Sequence, residues 1–179
     1  EANIGAVART PFVATDVRQI LIRGELDAKI AAEALKPHGL FPILTPNGKA
    51  IGLINWNELH KWSGGTLANG KPSEEAYDEV IFAIDACKTQ GTVAQGYDKN
   101  EWGAAYFNFH TTPGFTFFFH TVYLSNAFSL DASRQTQAFP KHPTVMAMKA
   151  RFGRTIELST STPDGQLLFK VAWHILAYG

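Results

Sequence analysis

The sequence has a single cysteine in 179 residues, Cys87, so it can form no internal disulfide and offers no thiolate cage for a metal. A small core residue is the expected role of Cys87. Charge is scarce as well: only 18% of residues are charged, below the roughly 25% of an average globular chain, and 16 basic against 16 acidic residues leave a formal net charge of zero. No Lys/Arg cluster supplies the electrostatic footprint that a phosphate backbone demands, so nucleic acid is not an expected partner. No apolar run reaches the ~18 residues needed to span a bilayer, and the nearest, Phe115 to Leu124, is interrupted by Thr116, His120 and Thr121. No membrane partner is expected either. Also missing are a Walker loop, a dinucleotide fingerprint, a nucleophile elbow and a His-Glu-x-x-His motif. The six histidines are scattered at 38, 60, 110, 120, 142 and 174; His110 and His120 fall on neighbouring predicted strands but lack a third ligand, so no metal site is expected. The chain opens at Glu1 without Met, which fits a processed product and leaves secretion open.

What is present suits one ordinary domain, residues 1–179, with its own core, and the 45% hydrophobic share excludes intrinsic disorder. Aromatic residues reach 12%, with 13 Phe and four Trp, enough either to fill a β-rich core or to line a pocket with rings. Arg18 to Ile22 reads as a strand, and Asp27 to Leu35 as a helix capped by Asp27 and stopped by Pro37. Ala50 to Asn55 is a short apolar strand after the turn Pro46-Asn47-Gly48, and the Gly-rich Ser63 to Lys71 reads as a loop. On the next strand, Ala76 to Ala86, the side chains of Tyr77, Glu79, Ile81, Ala83 and Asp85 share one face. Two aromatic strands follow, Ala105 to His110 and Phe115 to Ser125, then a short helix from Asn126 to about Gln137. Thr144 to Phe152, Thr155 to Ser161 and Gln166 to Tyr178 complete the set. The class is α+β, mostly antiparallel β or barrel-like, with a few short helices.

The informative stretch is Tyr123-Leu124-Ser125-Asn126, followed seven residues later by Ser133-Arg134 and then by Ala138-Phe139-Pro140-Lys141. It resembles the acetoacetate decarboxylase family, whose members carry a Tyr-Leu-x-Asn strand end, a helix ending in Gly-Arg-Glu and a Tyr-Pro-Lys segment with the Schiff-base lysine. The resemblance implies that Lys141 is that lysine, Arg134 the helix arginine and Phe139 the aromatic before the proline. Tyr77-Asp78-Glu79 is similar to the family's Tyr-Thr-Glu, which implies an active-site role for Glu79. Arg18-Gln19, Asp27-Ala28 and Leu35-Lys36-Pro37 follow the amino-terminal pattern and assign Arg18 to the active-site arginine. Three departures stand out. The family's second acid falls near Gly52, with Glu58 the nearby substitute; the second lysine of the pair is His142; and only 38 residues follow Lys141.

Read from the residues alone, Lys141 is either an exposed lysine after a turn proline or an amine held rigidly by Pro140 beside the apolar wall of Phe139. An amine attacks a carbonyl only when unprotonated, so a catalytic lysine needs its pKa lowered by burial or by a neighbouring cation. Glu79 is either a general acid/base or the partner of an arginine across the sheet. Arg18 either grips a substrate carboxylate or is that partner.

The resemblance thus implies a cone-shaped barrel that forms an imine between Lys141 and a keto acid or related carbonyl compound, as a decarboxylase or as an aldolase or dehydratase-type lyase. Glu79 would handle protons, with Arg18, Phe139, Tyr123 and His142 on the substrate side. No metal or organic cofactor is called for, because the imine itself is the electron sink. The alternative is a non-catalytic small-molecule-binding barrel of the same fold; a surface lectin or adhesion domain rests only on exposed aromatics. Family likeness favours the cytoplasm. A shortened carboxyl end predicts a homo-oligomer completing the barrel, with Gln166 to Tyr178 near the contact. Arg18, Glu79 and Lys141 are expected to converge.

Overall fold

A computed structural model describes residues 7–66, 72–73, 76–94, 112–125, 130, 141–151 and 155–174. Its strands are β1 (Val7–Leu26), β2 (Phe41–Pro42), β3 (Ala50–Thr66), β4 (Pro72–Ser73), β5 (Tyr77–Cys87), β6 (Thr116–Leu124), β7 (Lys141–Pro143), β8 (Val145–Arg151), β9 (Thr155–Ser161) and β10 (Leu167–His174). One α-helix, α1 (Ala28–Leu35), runs into a 3-10 turn, Lys36–His38. Seven strands form one sheet in the order β1-β3-β5-β6-β7, with β2 beside β5 and β4 beside β3; β10-β9-β8 form a second. The class is α+β and rich in antiparallel pairs. Among the described residues the path of the larger sheet has two ends, β1 and β7, and does not close on itself.

The chain divides into two units. The first comprises Glu1–Arg18, Asn57–Glu79 and Val122–Gly179, the second Gln19–Trp56 and Val80–Thr121. In the second unit Asp27 caps α1 by accepting from the Lys29 and Ile30 amides at 2.9 and 3.1 Å, and Gly39 ends the 3-10 turn with a positive φ of 65°. Helical spacing turns Ala31 and Leu35 toward Ala50, Ile84 and Ala86, forming one buried cluster. A second cluster joins Ile43, Ile51, Cys87 and Ala94. Ala50 and Ile51 are successive on β3, and Ala86 and Cys87 on β5, so strand alternation sends each pair to opposite faces and gives both faces a core. Cys87 is the small core residue expected of it.

In the first unit the parallel partners β6 and β7 align Val122 with Lys141 and Tyr123 with His142. The Thr144 amide then donates to the Leu124 carbonyl at 2.9 Å, and the Thr144 hydroxyl to the Ser161 carbonyl at 2.6 Å, tying β7 to the small sheet. The turn from Thr162 to Gln166 closes the β9–β10 hairpin, with Gly165 at φ 93°.

Several boundaries differ from the sequence reading. β1 and β3 run well past Arg18–Ile22 and Ala50–Asn55, and Ser63 to Thr66 is strand, not loop. There Gly65 pairs with Ser73 and Thr66 with Pro72, so ladder formation overrides the local glycine preference for a turn. The short strand β7 carries no periodic signal in three residues and was not expected. The expected strand 105–110 and most of the expected helix 126–137, with Arg134 and Phe139, lie outside the described residues.

Candidate functional site

Lys141 opens β7 and is 7% exposed, with its amine 3.7 Å from a Glu79 carboxylate oxygen. Thr144, three residues on, anchors the segment through its amide bond to the Leu124 carbonyl, so the backbone that carries the amine is tied down on that side. Burial pushes the Lys141 pKa below the ordinary lysine value, because a charged ammonium is poorly solvated there; Glu79 acts in the opposite sense through its charge and hydrogen bond.

Glu79 comes from β5 and is held from a second side. The Asn57 side-chain amide on β3 donates to its other carboxylate oxygen at 3.1 Å. Asn57 is itself 7% exposed, so this bond satisfies a buried donor while fixing the carboxylate. Beside them, burial and the Glu79 charge both raise the Tyr77 pKa, keeping that hydroxyl neutral. Backbone ties lock the strand: the Ser125 amide donates to the Asp78 carbonyl at 3.0 Å, and the Asp78 amide to the Ser125 hydroxyl at 2.8 Å. Tyr123 and His142, register partners across β6 and β7, bring their rings to 5.7 Å.

The structure therefore brings Glu79 and Lys141 together, although 61 intervening residues separate them in the chain. Arg18 is elsewhere. Its guanidinium lies 3.6 Å from Glu58, with 68% of its side chain exposed. Glu58 follows Asn57 on β3, so strand alternation directs the two to opposite faces, and Arg18 goes with Glu58. His60, two residues along the same strand, sits 3.5 Å from the same carboxylate. Burial raises the Asp78 pKa, the Glu58 charge adds to the rise, and His60 opposes it. Of the two readings left open for Glu79, the arginine partnership is not the one its contacts show: Glu79 faces Asn57 and Lys141, and Arg18 faces Glu58.

Sequence reasoning missed Asn57. Its signal was a polar pair, Asn57-Glu58, continuing an otherwise apolar strand: a buried amide in such a place needs an acceptor. Among the described residues no group of three or more His, Cys, Asp or Glu side chains could hold a metal ion.

By sequence, the chain matches no family profile and no curated protein. Among solved structures it is similar to the enduracididine biosynthesis enzyme MppR, complexed with the condensation product of pyruvate and imidazole 4-carboxaldehyde, at 13% identity and a TM-score of 0.55 over 89% of this chain and 54% of that one. It is also similar to an acetoacetate decarboxylase at 14% identity and a TM-score of 0.54, over 88% and 48% of the two chains. For the acetoacetate decarboxylase of Legionella pneumophila the values are 9% and 0.54, over 93% and 66%. The fold is that of the acetoacetate decarboxylase-like proteins. The chain spans about half the length of the first two.

Proposed function

We propose that this chain is a Schiff-base-forming enzyme that acts on a keto acid or related carbonyl compound through Lys141. The observation that carries the reading is the buried Lys141 amine, its pKa lowered by desolvation, 3.7 Å from a carboxylate that Asn57 holds in place. In its neutral form the Lys141 nitrogen adds to the carbonyl carbon. A proton delivered from Glu79 to the resulting hydroxyl lets it leave as water, and the nitrogen lone pair forms the iminium. Breaking a bond at the neighbouring carbon, to carbon dioxide or to an aldol fragment, sends its electron pair to the iminium nitrogen as an enamine. Reprotonation at carbon and hydrolysis then release product and Lys141. That a solved structure of the same fold holds a pyruvate condensation product supports carbonyl compounds as the substrate class.

In this reading Tyr123 and His142 flank the substrate, and Phe139, outside the described residues, is assigned to the substrate side by family likeness alone. Arg18 binds a substrate carboxylate only if that group reaches the Glu58 face of β3. The described strands are part of a cone-shaped barrel, and the chain works as one domain. A homo-oligomer is part of this reading: among the described residues β10 is an edge strand of its sheet, with Leu167 and Leu168 exposed at 57% and 39%, which leaves an apolar edge for an intersubunit contact. Light scattering at micromolar concentration checks this, and a 19.7 kDa monomer contradicts it.

A second reading rests on the same pair. Glu79 opposes the effect of burial on Lys141 and helps it keep its proton, as a non-catalytic binding barrel of this fold would allow. Borohydride added with pyruvate or acetoacetate separates the two. A mass increase on the Lys141 peptide that Lys141→Ala abolishes supports the enzyme; saturable binding with no trapped adduct supports the binding barrel.

A further inference from the structure

The second unit contains a cavity of about 410 Å³ that neither Lys141 nor Glu79 lines. Helix α1 forms one wall through Ile30, Ala31 and Ala34, and residues of β1, β3 and β5 form the floor. A dry apolar cavity of ~150 Å³ takes one benzene, so this space admits a considerably larger hydrocarbon. It also falls within the ~300–1,000 Å³ range of small-molecule sites.

Two glycines sit in the floor, on strands where glycine weakens the ladder. They differ. At Gly52 a Cβ would come within 2.6 Å of the Leu26 side chain, so that glycine is explained by close packing. At Gly24 a Cβ would meet nothing within 4 Å, and its backbone has no unusual φ. Among the described residues no packing contact accounts for Gly24, which borders the open volume.

The lining also defines what can enter. Among the described residues no lysine or arginine lines the space, and the one lining carboxylate, Asp27, already accepts from two amides of α1. A ligand carboxylate would find no lysine or arginine on these walls and would face the Asp27 charge. An inserted peptide backbone would fare no better, because the aliphatic walls leave its amides and carbonyls unpaired. Among the described lining residues His120 is the remaining polar side chain; its Nδ1 pairs with the Thr121 hydroxyl at 2.9 Å. Ile30, 69% exposed, and Leu26, 40% exposed, give the rim an apolar approach.

We infer that the cavity between α1 and the sheet binds a neutral, mostly hydrocarbon small molecule, with Gly24 left small to admit it. The site is independent of the Lys141 chemistry. The test titrates the full chain with 1-octanol and with octanoate at pH 7 by calorimetry. Saturable binding of one 1-octanol per chain is expected, with octanoate at least tenfold weaker. Gly24→Leu should lower the 1-octanol affinity at least tenfold without lowering the unfolding midpoint, since its side chain enters open space. Ala34→Leu should do the same from the helix wall, and it carries the test if Gly24→Leu does not fold. Non-saturable uptake, equal binding of octanoate, or unchanged affinity in the folded variants overturns the inference. Self-association of the wild type that Gly24→Leu abolishes also overturns it, by giving the space to a second copy.

Discussion

The two units each contain an acid facing a cation whose side chain is almost wholly buried, and the pairs differ in what their cations can do. In the second unit Arg23 meets Asp85 at 2.8 Å, with the arginine side chain 6% exposed and the aspartate fully buried. The Arg23 guanidinium also lies 5.7 Å from the centroid of the Phe117 ring. In the first unit Lys141 and Glu79 stand 3.7 Å apart, and Glu79 is shared with Asn57. An arginine does not give up its proton in a protein, so the tight pair stays an ion pair; a desolvated lysine can, so under the proposed function the looser pair is the one able to supply a neutral amine. Burial alone therefore does not distinguish the two pairs. The identity of the cation and the slack in the contact do.

The largest expected effect breaks the first-unit pair. Lys141→Ala should reduce carbonyl turnover by about 10⁴-fold or more, because the covalent route disappears. Lys141→Arg should do the same while keeping the charge. Folding should survive both. Because the folded-state pKa of Lys141 is lowered, the charged amine costs stability at neutral pH, and that cost fades as pH rises through the lowered pKa toward 10.5. Lys141→Met should therefore be at least as stable as wild type at pH 7 and lack this alkaline gain, which denaturant titrations at several pH values will read.

Arg23→Ala reverses the pattern. Stability should fall by about 3–5 kcal/mol, since an uncompensated carboxylate stays buried, while Lys141 reactivity in the surviving folded fraction should be nearly unchanged. Replacing Arg23 and Asp85 together with leucine should restore much of the loss. The Asp85 pKa is pushed up to about 6, by burial acting against Arg23. A raised carboxyl pKa means that the folded state binds the proton more tightly between the usual 3.8 and about 6, so this group's contribution falls as pH rises through that window. Asp85→Asn should lack that slope when the two stability profiles are subtracted.

How much of this was legible beforehand follows from what kind of signal each residue left. Lys141 was singled out because Tyr-Leu-x-Asn and Pro-Lys stand at a fixed, gap-free spacing, and Glu79 because Tyr77-Asp78-Glu79 resembles Tyr-Thr-Glu; a short motif stays readable when its spatial partner is distant in sequence. Asp27 and Pro37 bounded α1 through local backbone chemistry, which one sequence carries in full. Asn57 and the Arg23–Asp85 pair were not found, although Asp85 was already placed on one face of β5 among apolar neighbours. Which cation reaches a buried acid depends on strand order, and strand order is a long-range property that periodicity does not encode. The same limit explains β7, whose three residues are strand only because β6 lies alongside.

A smaller effect sharpens the Lys141 side. Glu79 raises the lysine pKa against burial, so Glu79→Gln should lower it further. Reductive methylation of Lys141 followed against pH should then reach half its maximal rate at lower pH than in wild type, even as turnover drops through loss of the acid/base group by about 10²-fold. Asn57→Ala should give a milder turnover loss, about tenfold, by freeing the carboxylate to rotate. A profile that does not move in Glu79→Gln would mean that the pair does not govern the amine.

The smallest stability effect belongs to a third pair, Arg18 and Glu58, which extends the comparison to the surface. At 3.6 Å and with the arginine side chain 68% exposed, the contact is solvent-screened, and exposed ion pairs contribute ~0–1 kcal/mol. Arg18→Ala should accordingly leave the unfolding midpoint within the error of the wild-type value. Kinetics carry the information instead. If a keto acid places its carboxylate on Arg18, the variant should raise KM at least tenfold with little change in kcat, since a bidentate carboxylate contact made equally in ground and transition states is uniform binding. Methyl esters of the same keto acid, which lack the charge, should show no such difference. If KM for acid and ester alike is unchanged, Arg18 belongs to the surface pair alone, and substrate binding falls to the Lys141 face of β3.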